Sequence, residues 1–72
     1  MENKREKFIR VAENRTNKIL HLIDLLGNCA NKRVYDYSEE DARKIFSEIE
    51  RHLSITRSKF KQNSGKSKFK LQ

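Results

Sequence analysis

The chain has 72 residues, a net charge of +7 and a single cysteine. That length allows one small domain with a thin core. Cys29 on its own excludes an internal disulfide framework, and no apolar run reaches the length that spans a bilayer. Charged residues (38%) exceed hydrophobic ones (35%), and the mean hydropathy is −0.98, so a second subunit is expected to complete the core. Pro is absent and only two Gly occur, a composition that suits helices better than strands. The positive charge points to polyanionic partners, namely nucleic acid, an anionic membrane surface or an acidic protein, although it also serves solubility. The N-terminus is highly charged and carries no secretory apolar region, so the expected compartment is the cytoplasm.

The first helix is expected over about 4–26. Its seam runs Ile9, Ala12, Thr16, Ile19, Ile23, Leu26, in alternating steps of three and four residues. Phe8, Leu20 and Leu22 widen that seam into a stripe. Asn3 is the N-cap residue, and Gly27 is expected to close the helix in the left-handed conformation. Lys4, Lys7, Arg10, Asn14, Lys18 and His21 fall to one side, with Glu2, Glu6, Glu13 and Asp24 on the other. Two readings stay open for this asymmetry. The charges border a packed interface, as at the edges of a coiled coil, or the bases form a strip that faces a phosphate backbone.

Residues 27–38 form the connection. Asn28, Asn31 and Asp36 are turn formers. Val34, Tyr35 and Tyr37 favour extended backbone, which leaves room for one short β-bridge across a symmetric dimer. The two tyrosines are expected to cap the end of the core, with base stacking as the functional alternative.

The second helix is expected over about 39–60. Ser38 is an N-cap followed by three acids, with Asp41 placed to close a capping box, and Tyr37 can staple onto Ala42. Ala42, Ile45, Phe46, Ile49, Leu53, Thr56 and Phe60 share one face, and Arg57 and Lys59 suit the negative end of the helix dipole. From Lys61 the periodicity stops. Residues 61–72 hold four lysines and no acid, more than half of the net charge, and read as a disordered basic tail.

No catalytic set is visible. His21 and His52 have no Cys or His at ligand spacing, so no metal site is expected. Cys29 has no histidine or acid close by, and Glu48 and Glu50 point to different faces of their helix. The chain is too small to wall off an ordinary substrate pocket, so neither a cofactor nor a small-molecule substrate is expected. No helix-turn-helix or ribbon-helix-helix signature is present, so any nucleic-acid contact would fall mainly on phosphates. A membrane-surface role is disfavoured, since the apolar faces are committed to packing and Trp is absent.

The phrases Glu-Lys-Phe-Ile-Arg-Val-Ala-Glu-Asn-Arg-Thr-Asn-Lys-Ile-Leu (6–20), Leu-Leu-Gly-Asn-Cys-Ala-Asn-Lys (25–32) and Tyr-Asp-Tyr-Ser-Glu-Glu-Asp (35–41) resemble a group of short proteins from plasmids, phages and other mobile elements of low-GC Gram-positive bacteria. The resemblance covers most of residues 5–60. It implies a mobile-element setting, in which small DNA-binding regulators and small protein inhibitors are both common.

The expected architecture is all-α: an antiparallel two-helix hairpin over residues 1–60 that pairs into a four-helix-bundle-like homodimer. Phe8, Ile19, Ile23, Phe46, Ile49 and Leu53 would form the dimer core, joined by Ala12, Leu26, Ala42, Ile45 and Phe60. The first functional expectation is a non-enzymatic nucleic-acid-binding accessory or regulatory protein, with DNA favoured over RNA. Lys4, Lys7, Arg10, Asn14 and Lys18 would line the contact, and Lys61, Lys66, Lys68 and Lys70 would add non-specific affinity. The alternative is a protein-interaction module, an adaptor or inhibitor that docks on an acidic partner surface.

Overall fold

The computed structural model describes residues 1–63, and these are helical with short connections: helix α1 (Lys4–Gly27), a 3-10 turn (Asn28–Ala30) and helix α2 (Glu39–Asn63). The all-α class expected from composition and periodicity is therefore observed. The chain divides into two units, Met1–Asp36 and the residues from Tyr37 onward.

Unit 1 begins with a reciprocal cap. Asn3 is extended (φ −89°, ψ 177°), and its side chain accepts a 2.8 Å hydrogen bond from the Glu6 N–H. The Asn3 N–H donates in return to Glu6 Oε1 at 3.2 Å. Two of the amides that a helix start leaves unpaired are thus satisfied by side chains three residues apart.

The far end of α1 differs from expectation. Gly27 does not close the helix in the left-handed region. It lies at φ −59°, ψ −28°, as the last α1 residue, and the chain continues through a right-handed cap at Asn28 (φ −68°, ψ −19°). The Asn28 N–H donates to the carbonyls of Leu25 and Leu26, so the tightened turn replaces a glycine-dependent cap. The extended backbone expected at Val34 gives way to a turn over residues 32–34. Asn31 organises it. Its carbonyl accepts from the Val34 N–H at 3.1 Å and the Tyr35 N–H at 3.0 Å, and its side chain accepts from the Arg33 N–H at 3.0 Å. An asparagine side chain that bonds the amide two residues on outcompetes the strand preference of Val34.

Unit 2 opens as the sequence predicts. The Asp41 N–H donates to Ser38 Oγ at 3.1 Å, and the Ser38 N–H donates to Asp41 Oδ2 at 2.9 Å. Tyr37 and Ala42 are both half-buried, as a staple across the cap would leave them. Acids occupy the first turn of α2, and Lys61 stands in its last turn. The helix reaches Asn63, three residues past the expected end, so Lys61 belongs to α2 and not to a disordered tail. Lys and Gln are good helix formers, which carries the helix beyond the last apolar residue, Phe60. Lys66, Lys68 and Lys70 lie outside the described residues.

No described residue is buried. Val11, Ala12, Leu26, Tyr37, Ala42 and Ile49 are half-buried, while Phe8, Ile19, Ile23, Phe46 and Leu53 remain 46–53% exposed. Neighbouring turns of the same helix shield about half of each of these side chains, and the other half is available to a partner surface.

Candidate nucleic-acid interface on helix α1

Both helices carry an unbroken seven-residue repeat, with positions a and d forming the seam. On α1, Ile9, Thr16 and Ile23 occupy a, and Ala12, Ile19 and Leu26 occupy d. On α2, Phe46, Leu53 and Phe60 occupy a, and Ala42, Ile49 and Thr56 occupy d. Positions e and g flank such a seam, whereas b, c and f face away from it.

This frame separates the two readings of the charged side of α1. Lys4 and Lys18 are at c, Lys7 and Asn14 at f, Arg10 at b and His21 at f. None of the six stands at e or g, so they do not border the seam. The flanking positions hold Glu6, Glu13 and Leu20 at e, and Phe8, Arg15 and Leu22 at g. The basic row therefore faces the side opposite the apolar seam.

Within that row the residues are not equivalent. Arg10 is engaged by Glu2 in a two-point ion pair, Nε to Oε2 at 2.8 Å and Nη2 to Oε1 at 3.0 Å. The pair holds the Glu2 carboxyl below its ordinary range and raises the Arg10 guanidinium above its own. Helical spacing predicts Glu2 on the opposite side of α1, whereas the structure sets it against Arg10. Glu2 precedes the extended Asn3, so helical spacing does not govern where its side chain goes. Among the described residues, no carboxylate pairs with Lys4, Lys7 or Lys18. The row from Lys4 to Lys18 covers 14 residue steps, about 21 Å at 1.5 Å per residue.

Arg5 received no role from spacing alone. Its guanidinium lies 5.8 Å from the centre of the Phe8 ring, within cation–π range. An arginine three residues before an aromatic on a helix is the signal for that contact. Arg5 falls in column d, so it extends the seam with a cation instead of joining the basic row.

The remaining polar clusters are local. On α2, Arg43 pairs with Glu40, and Glu48 receives both Arg51 Nη2 (2.6 Å) and His52 Nε2 (2.9 Å). The Arg51 and His52 contacts hold the Glu48 carboxyl below its ordinary range, with Arg51 the larger cause. Asp41 is likewise lowered, chiefly by the Ser38 amide. Spacings of three and four residues make these the pairs that steady a helix surface. Among the described residues, no three His, Cys, Asp or Glu side chains gather to hold a metal ion.

A depression of about 520 Å³ runs along α1, lined by Glu6, Ile9, Arg10, Glu13, Asn14 and Asn17. All six residues are exposed, so this is an open groove that cannot exclude water from a substrate. Cys29 is exposed at the 3-10 turn. Tyr35 is exposed beyond the Asn31 turn, and Tyr37 is half-buried beside the α2 cap. No described helix is long and apolar enough to cross a membrane. No protein-family model matches this chain, and neither a curated protein nor a solved structure shows significant similarity to it.

Proposed function

We propose that this is a small non-enzymatic nucleic-acid-binding accessory or regulatory protein, built as an antiparallel two-helix hairpin that pairs into a homodimeric four-helix bundle. One observation carries the reading: the basic row of α1 occupies columns b, c and f, opposite the seam. Closing the seam against any neighbour leaves Lys4, Lys7, Asn14 and Lys18 turned outward, with Arg10 available once a phosphate competes with Glu2. Two helices of 24 and 25 residues have the matched lengths that a hairpin needs. The mobile-element setting implied by the sequence resemblance suits such a regulator.

The contacts would fall mainly on phosphates, so affinity should drop steeply with ionic strength, with a slope of about −0.9 per phosphate neutralised on duplex DNA. Fluorescence anisotropy with duplex DNA across a salt series measures that slope. Lys7→Gln combined with Lys18→Gln should flatten it by about two. No binding to mixed DNA and RNA at low salt would overturn the reading. The exposed apolar seams favour a second reading, an adaptor or inhibitor that docks on an acidic partner protein. Capture of a partner that survives nuclease treatment distinguishes it.

A further inference from the structure

Unit 1 holds five asparagines, and three of them stand where that residue type is favoured. Asn3 caps the start of α1, Asn28 is its C-cap, and Asn31 builds the turn that follows. Asn14 and Asn17 are different. They lie in the middle of α1, where asparagine is among the weaker helix formers, and both are exposed. Among the described residues, neither side chain takes part in a hydrogen bond. Capping, turn formation and packing therefore all fail to account for them. A residue that works against its own helix without a local return marks a place shaped by something other than folding.

Their position on α1 is specific. Asn14 is at f, the column directly opposite the seam, and Asn17 is at b beside it. Lys4 and Lys7 precede the pair and Lys18 follows it, all in columns c and f of the same outward side. Glu6 and Glu13 are kept to column e beside the seam, and Glu6 accepts from the Asn3 amide. Two carboxamides thus occupy the middle of a cationic row. Lysines grip phosphates but do not distinguish one sequence from another. A carboxamide carries an acceptor and a donor side by side. It accepts from the N6 amino group of adenine and donates to N7, a pairing open only in the major groove. Three residues are about 4.5 Å of helix axis, against a rise of about 3.4 Å per base pair, so the two amides reach neighbouring pairs.

We propose that Asn14 and Asn17 read adenine edges in the major groove of duplex DNA, while Lys4, Lys7 and Lys18 hold the flanking phosphates. The proposal rests on the nucleic-acid reading above and narrows it to B-form DNA with a sequence preference. It involves α1 alone, whatever element covers the seam. Arg10 already has a carboxylate across its guanidinium, so the two asparagines are the unoccupied readers of the row. A helix about 10–12 Å across fits a B-form major groove about 12 Å wide. The A-form major groove of duplex RNA is too narrow for side chains to read, so RNA would offer α1 only its phosphates.

The test selects duplexes from a pool with a randomised core, using the full-length chain, and then measures anisotropy with the selected duplex and a scrambled one. The selected sequence should carry adenines at neighbouring pairs and bind more tightly than the scrambled duplex. Asn14→Ala with Asn17→Ala should lower that preference about tenfold for each asparagine, while affinity for the scrambled duplex and its salt slope stay unchanged. Alanine is the better helix former, so circular dichroism should show helicity kept or raised, which separates lost selectivity from unfolding. Lys7→Gln with Lys18→Gln should instead weaken both duplexes alike. Duplex RNA of the selected sequence should bind no better than scrambled duplex RNA. If DNA binds but no sequence is enriched, the enriched sequence lacks adenine, or the preference survives in the double alanine variant or on duplex RNA, the proposal is overturned and the nucleic-acid reading stands. If no nucleic acid binds at low salt, both fall.

Discussion

Helices α1 and α2 have nearly the same length and the same kind of start, yet different forces hold them. Each opens with a reciprocal capping box, Asn3 with Glu6 and Ser38 with Asp41. Beyond that turn they diverge. Helix α2 is laced by Glu40–Arg43, Glu48–Arg51 and Glu48–His52 pairs, has acids in its first turn and a lysine in its last, and keeps a narrow seam. Helix α1 has no such pair among the described residues. Its one ion pair, Arg10–Glu2, reaches back past the cap, and no base stands in its last turn. In its last third, six of the eight residues from Ile19 to Leu26 are apolar, broken only by His21 and Asp24. Local interactions specify α2, whereas the end of α1 is a segment whose apolar girth calls for neighbours on more than one side.

The largest effect should come from the end of α1. Ile23→Ala should destabilise the assembled protein by about 2–4 kcal/mol in chemical denaturation at fixed protein concentration, because a seam methyl group in this third would be enclosed on several sides. A loss below 1 kcal/mol would mean that the α1 terminus finds no cover, and the contrast with α2 would collapse.

Removing a cap tests the local side of the comparison. Ser38→Ala should cost about 1 kcal/mol, since the Asp41 amide loses its acceptor and the box loses its reciprocity. The loss should appear as fraying at the start of α2 in amide exchange. Gly27→Ala should act in the opposite direction. Gly27 has right-handed helical angles, and a Cβ built there meets nothing within 4 Å. The substitution should raise stability by about 0.4–1 kcal/mol, mainly through the unfolded chain. A destabilising result would show that Gly27 is needed for close approach by another chain.

The smallest effect should be that of acid, and its sign follows from Asp41 and Glu48. Both carboxyls are held below their ordinary values in the fold. Their contribution is therefore complete above the unfolded values and is lost as pH falls through the lower folded ones, below the ordinary carboxylate range. Residue-resolved amide spectra should show α2 weakening over that window before the seam-held part of α1. Both groups are exposed, so the change should be modest and should shrink further in salt.

Much of this was readable in the residues. The Asn3 and Ser38 starts, the two seams and the reach of α2 past Leu53 follow from cap chemistry and spacing. The Asn3–Glu6 box is also signalled by its three-residue spacing. Columns b, c and f for the bases likewise follow from the seam that the sequence defines. Other features were not legible. Spacing rules place residues only inside a helix, so they misplaced Glu2, which lies one residue before the cap. Glycine is compatible with both hands of the backbone, so Gly27 could not reveal its right-handed angles. Asn31 combines a side-chain and a carbonyl acceptor in one turn, and that overrode the strand preference of Val34.

By itself, the sequence determined that the protein is helical, where each helix begins, and which columns are greasy and which are basic. These properties depend on neighbours within one or two turns. Three-dimensional structure decided how α1 ends, where the Glu2 carboxylate goes, and how far α2 continues beyond its last apolar residue. Those outcomes depend on backbone angles at permissive residues and on the reach of side chains outside the helical repeat, and periodicity constrains neither.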